Sequence, residues 1–191
     1  MSRNNQKLEF LEIYNSKGLG TGLKESKYHI HKKGLHHITV HLWLFTGKRN
    51  VLIQKRSKNK ELNPGVWDVS VAGHVHFKEN IKNALIREAF EETGMIIIKK
   101  KLIKLGVYSS INYHKNIIDR EFNHTYLLKI KENEINLDYS NEEVDELKLI
   151  SLKEMKTLLK KKSSHFFVGK NENYYQDVFN TIDKLTTKNF V

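Results

Sequence analysis

Residues 73–95 read GHVHFKENIKNALIREAFEETGM, and this stretch decides the fold. Asn80 can cap a helix running to about Thr93, because its side-chain oxygen takes an orphan N–H of the first turn; Gly94 stands where helices commonly end. At about 100° per residue, Ile81, Leu85 and Ala89 form the stripe that faces a core, and Glu88 and Glu92 flank it. Glu88, Glu91 and Glu92 stand at i, i+3 and i+4, which places three carboxylates on neighbouring sites of one helix face. Like charges so close repel, and carboxylates beside a buried stripe are costly unless neutralised. A hard divalent cation does this well, since Mg²⁺ takes one or two carboxylates plus waters and phosphate oxygens. From these three residues alone, a solvated acidic face steadied by an Arg87–Glu91 pair at i,i+4 is the competing account.

The wider spacing favours the metal. Gly73, five residues, Glu79, seven residues and then Arg87-Glu88-Ala89-Phe90-Glu91-Glu92-Thr93-Gly94-Met95 resembles the Nudix box at every fixed letter, with Ala89 and Met95 at its aliphatic positions. Seven fixed letters at average residue usage give a chance match on the order of 10⁻⁹ per starting position. The resemblance implies a mixed α/β fold, an α/β/α sandwich around a central mixed sheet. It also implies a Mg²⁺-dependent hydrolase of a diphosphate linkage, with Mn²⁺ able to substitute. Glu88, Glu91 and Glu92 would be the metal ligands, with Glu88 or Glu91 also deprotonating or orienting the attacking water. Arg87 would hold the glutamates, Glu79 would close the far side of the loop–helix–loop, and the Gly73 carbonyl would approach the metal where a side chain would obstruct it. Attack by water on phosphorus needs no covalent enzyme intermediate. A further family glutamate comes from a loop downstream of the box; Glu143, before the strand near Leu147, is its expected place, with a charged turn as the alternative.

Outside the box, Leu52 to Ser57, Pro64 to Asp68 and Ser70 to Val75 are similar to the isopentenyl diphosphate isomerase-like branch of that family, and the resemblance covers about residues 8 to 150. Where such isomerases carry a catalytic cysteine, this chain has Ala72, and it contains no cysteine anywhere. The thiol that moves the allylic proton is therefore missing, which disfavours isomerisation and leaves hydrolysis intact. His74 and His37 match isomerase metal-binding histidines, while the third falls nearest Ile30, between His29 and His31. For His74 a bond to loop backbone or substrate phosphate competes with metal ligation. Lys55 and Arg56, at a strand end, are expected phosphate contacts, with ordinary solvent-facing cations as the alternative, and Trp67 is expected to anchor the core.

Composition bounds the rest. At 191 residues the chain is expected to form a single domain, residues 1–191, able to bury a real core. The absence of cysteine excludes disulfides, thiolate metal sites and thiol nucleophiles. A formal charge of +11 suits anionic ligands, but the lysines run along the whole chain, so a small diphosphate is expected as partner rather than nucleic acid. No apolar run approaches a membrane span, and the first residues lack a secretory pattern, so the expected compartment is the cytoplasm. Alternation predicts a hairpin over about 8–23 and strands at His37–Phe45, Val51–Lys55, Trp67–Ala72, Lys104–Ile111, Asn123–Ile130 and Glu146–Ile150. Helical spacing predicts C-terminal helices over about 152–186, with Lys160 to Lys162 in the last turn of the first. The hairpin and these helices offer a surface for a homodimer, and the connections Ile111–Arg120 and Ser163–Asn173 are expected to choose the substrate.

Overall fold

Strand β1 (Phe10–Tyr14) turns back into β2 (Gly20–Ser26), forming the expected hairpin. A short helix α1 (Lys27–Lys33) leads into β3 (His36–Thr46) and β4 (Asn50–Arg56). Two short strands, β5 (Trp67–Asp68) and β6 (Val71–His74), precede helix α2 (Ile81–Thr93). The long hairpin of β7 (Ile103–His114) and β8 (Ile117–Ile130) follows, then β9 (Val144–Ser151), α3 (Leu152–Lys160) and α4 (Glu172–Thr187). This computed structural model describes residues 8–160, 167–168 and 172–187; Lys161, Lys162 and most of 163–173 lie outside the described residues. Among the described residues no helix is long and apolar enough to cross a membrane.

β3 is the spine of the sheet. It pairs parallel with β8 from His36↔Arg120 to Thr46↔Ile130, and antiparallel with β6 from Thr39↔His74 to Leu42↔Val71. β4 joins β9 antiparallel, so the sheet is mixed. Alternation along β3 sends Ile38, Val40, Leu42 and Leu44 to one face, where they pack with Ala84, Leu85 and Ala89 of α2. Trp43 and Phe45 point to the other face and pack under Tyr174, Tyr175, Val178 and Phe179 of α4. Helices on both faces make the expected sandwich. Truncating the fully buried Leu85 to alanine would cost about 2–5 kcal/mol, because the stripe it belongs to is what fixes α2 against the sheet.

Three elements differ from the sequence expectation. The strand expected over Trp67–Ala72 divides in two, because the Ser70 hydroxyl intervenes: it donates to the Leu52 carbonyl at 2.6 Å and accepts the Leu44 N–H at 2.8 Å. The connection expected at Ile111–Arg120 is instead the tip of a hairpin, paired as far as His114↔Ile117. Helix α1 is additional; Ser26 caps it by accepting the His29 N–H, and Gly34 ends it in left-handed geometry at φ 61°.

Candidate active site

Helix α2 starts as expected, with Asn80 accepting the Lys82 N–H at 3.0 Å, and ends at Gly94 with φ 68°. Glu88 and Glu92 are 6% and 1% exposed, whereas Glu91 is only half-buried. Burial pushes the carboxyl pKa of Glu88 up, and the neighbouring Glu92 charge adds to the effect. Burial likewise raises Glu92, opposed by Lys60 and by the Ala72 N–H, which donates to it at 2.8 Å. Gln54 Nε2 donates to the same Glu92 oxygen at 2.6 Å. A Cβ on Gly73 would overlap the Glu88 carboxyl group, so this position needs glycine for close approach.

Arg87 ties the carboxylates together. Its Nε and one terminal nitrogen form a fork with Glu79 at 3.0 and 2.8 Å, and that terminal nitrogen also donates to the His74 carbonyl at 2.8 Å. The other terminal nitrogen reaches Glu88 at 2.6 Å and Glu91 at 2.9 Å. Burial alone would lower the guanidinium pKa, but Glu79 and Glu88 more than reverse this and keep it charged. Burial would raise Glu79, and the Arg87 fork instead holds it low. Arg87 draws Glu88 and Glu91 towards itself while Glu92 turns to Ala72 and Gln54. Accordingly, among the described residues, three ligand atoms fall within 4.8 Å of one another at a second cluster and not at the box glutamates.

That second cluster lies on the opposite face of the sheet. His74 follows Gly73, so strand alternation aims its ring away from α2. The rings of His31, His37 and His74 stand 5.2–5.4 Å apart by centroid, and their ligand nitrogens lie within 4.8 Å. His37, Asp119 and Glu121 make an overlapping set by the same measure. His37 Nδ1–H donates to the Leu35 carbonyl at 3.2 Å, which leaves the Nε2 lone pair facing the cluster. His31 Nδ1 and Nε2, His37 Nε2 and His74 Nε2 are buried and find no hydrogen-bond partner among the described residues. Burial lowers all three imidazole pKa values, His31 to about 4, so each ring is neutral near pH 7. Buried neutral imidazoles with free lone pairs beside two carboxylates are a donor set that fits a divalent transition-metal ion. Asn123 Nδ2 orients Glu121 from 2.8 Å, bridging it to Thr39 at 2.7 Å.

The remaining predicted residues are placed as follows. Arg56 turns inward, donating to the Leu62 carbonyl and to Asp68. Lys55 lies over the Trp67 ring and near Glu146, and Trp67 is in the core. Glu143 pairs with Lys60 across the approach to the box; burial would raise its pKa, but Lys60 holds it low and ionised. Two cations missed in the sequence, Lys27 and Lys60, both act on His74 and Glu143, and Lys60 also acts on Glu92. No fixed spacing marks either of them. The third histidine is His31 rather than the neighbour counted at Ile30, which is buried in the core. The sequence also missed Asp119 and Glu121, since a pair at i, i+2 is an ordinary strand pattern until a histidine lies beside it.

A mixed sheet between helices, with a loop–helix carrying buried paired carboxylates and their arginine anchor, defines the Nudix class of architecture. The family model for the NUDIX domain matches residues 35–168. An uncharacterized Nudix hydrolase of Clostridium acetobutylicum is 34% identical over 162 residues, 83% of this chain and 78% of the relative. The isopentenyl-diphosphate Delta-isomerase 2 of Photorhabdus laumondii is 33% identical over 138 residues, 70% of this chain and 72% of the relative. Among solved structures, a Deinococcus radiodurans protein superposes with a TM-score of 0.66 at 16% identity, covering 92% of this chain and 98% of its own, and so shares the fold. The chain belongs to the Nudix hydrolase family.

Proposed function

We propose that this chain is a Mg²⁺-dependent hydrolase that cleaves a diphosphate linkage in a small phosphorylated metabolite. The observation that carries this reading is the pair of buried carboxylates, Glu88 and Glu92, set against the side-chain-free backbone of Gly73 and steadied by Arg87. Glu88, Glu91, Glu92 and the Gly73 carbonyl would hold Mg²⁺, or Mn²⁺ in its place. When bound, such an ion neutralises phosphate charge and makes water a better nucleophile. Glu91, the most exposed of the three, would orient or deprotonate that water, with Arg87 shared between it and Glu88. Lys27 and Lys60 bring positive charge to His74 and Glu143, which would favour phosphate oxygens there, and Arg56 supports the wall that Asp68 belongs to. Ionised Glu143 serves as a further carboxylate over the box.

The histidine cluster extends this reading to a second, nitrogen-bound ion held by His31, His37 and His74 with Asp119 and Glu121. Isomerisation is not supported, because Ala72 carries no proton-transfer group and the chain has no cysteine. A screen of nucleotide, sugar-nucleotide and isoprenoid diphosphates with Mg²⁺, run beside Glu92→Gln, tests the proposal. Phosphate or monophosphate release should fall at least ~10³-fold in the variant, since it removes a charged metal ligand. Release that persists in Glu92→Gln would sink the mechanism. Salt-sensitive RNA binding without turnover across the panel would mark a binding module instead.

A further inference from the structure

We propose that Asn141 is a positioning residue that sets Glu143 at a fixed distance from the box helix. The proposal rests on the reading that Glu143 acts in hydrolysis. The last carbonyls of a helix have no intrahelical partner, and in α2 the β8–β9 connection supplies donors to two of them, Phe90, which also accepts the Gly94 N–H, and Glu91. Tyr139 Oη donates to the carbonyls of Phe90 and Glu91 at 3.2 and 2.9 Å, and Asn141 Nδ2 donates to the Glu91 carbonyl at 2.6 Å. On its other side Asn141 Oδ1 accepts the N–H groups of Glu143 and Val144 at 2.8 and 2.9 Å. One side-chain amide therefore joins the backbone of a box glutamate to the backbone of the loop glutamate.

The chemistry selects an amide. It must donate at one end and accept at the other, and donors facing Oδ1 with acceptors facing Nδ2 fix its orientation. An aspartate has the same shape but no donor, so it would meet the Glu91 carbonyl with an unfavourable lone pair. The contacts continue past Glu143: its carbonyl accepts the Ser57 N–H at 2.9 Å, its carboxylate pairs with Lys60, and Lys60 acts on Glu92. Asn141 thus starts a chain of contacts that runs from Glu91 through Glu143 to Lys60, whose charge acts on Glu92. Gly94 makes room for the neighbouring Tyr139, since a Cβ there would press on its ring at 2.8 Å.

The test is a double-mutant cycle with Asn141→Asp and Glu143→Gln in the full chain with Mg²⁺. Monophosphate release from ADP-ribose, a compound with a diphosphate linkage, is measured, together with amide exchange. Asn141→Asp should lower kcat ~10–100-fold with KM changed less than ~3-fold, the scale expected when a reacting group is displaced by about an ångström. The double variant should be no slower than Glu143→Gln alone, and, because the aspartate keeps the acceptor, the Glu143 and Val144 amides should stay protected from exchange while kcat falls. If Asn141→Asp does not fold, Asn141→Ser, too short to reach Glu91, should give the same pattern. A wild-type kcat in Asn141→Asp beside an impaired Glu143→Gln, or additive losses in the double variant, overturns the positioning role. Full activity in Glu143→Gln overturns the reading of Glu143 and the proposal with it.

Discussion

Gly73 and His74 are consecutive residues of one strand, yet they belong to two donor clusters built in opposite ways. On the Gly73 side the donors Glu88, Glu91 and Glu92 come from one turn and a half of a single helix, crowded together, with Glu88 and Glu91 tied to Arg87. On the His74 side they come from α1, β3, β6 and β8, are neutral at the imidazoles, and approach one another without a cation-bearing anchor in hydrogen-bond contact. The oxygen cluster is held together by a guanidinium and waits to be rearranged by a ligand. The nitrogen cluster is preformed by strand register, with its lone pairs already converging. A helix segment can conserve spacing by itself, whereas a site spread over four elements exists only after the sheet has formed.

The comparison breaks most sharply at Gly73→Ala. The added methyl would displace a Glu88 carboxylate that Arg87 pins, so kcat should fall about 100-fold or more. Overpacking would cost about 1–3 kcal/mol of stability. Paired kinetics and denaturant unfolding check this, and a variant with normal kcat would show that Glu88 swings away freely. Arg87→Lys is the next test. A lysine cannot reproduce the fork to Glu79 or reach His74, Glu88 and Glu91 together, so stability should drop by about 2–4 kcal/mol. A melting temperature equal to the parent's would mean that the carboxylates arrange themselves.

On the histidine side, His31→Ala should reduce Co²⁺ or Zn²⁺ bound per chain by one and weaken that site by about 100-fold, leaving Mg²⁺-dependent turnover less affected than Glu92→Gln does. Visible absorption of the Co²⁺ form and calorimetry read this out, and unchanged stoichiometry would reduce the cluster to buried packing. The smallest effect belongs to the helix itself. Asn80→Ala removes one cap and should cost about 1 kcal/mol with kcat nearly intact, which separates helix stability from carboxylate placement. A large kcat loss in that variant would show that the box depends on the first turn of α2.

Sequence alone determined what local spacing can carry. The cap at Asn80, the stop at Gly94, the core stripe of Leu85 and Ala89, the three-glutamate face and the glycine at 73 all follow from positions within one helix turn or one fixed interval, because helix geometry converts spacing into direction. The missing thiol at Ala72 was equally legible, since an absent atom type needs no coordinates. Tertiary structure decided what register and side-chain direction carry: that His31 and not Ile30 joins His37 and His74, that Asp119 and Glu121 stand beside them, and that Lys60 joins Arg56 in acting on Glu92. These residues are up to ninety positions apart, and a shift of one residue along β3, β6 or β8 would turn His37, His74 or the Asp119–Glu121 pair to the other face.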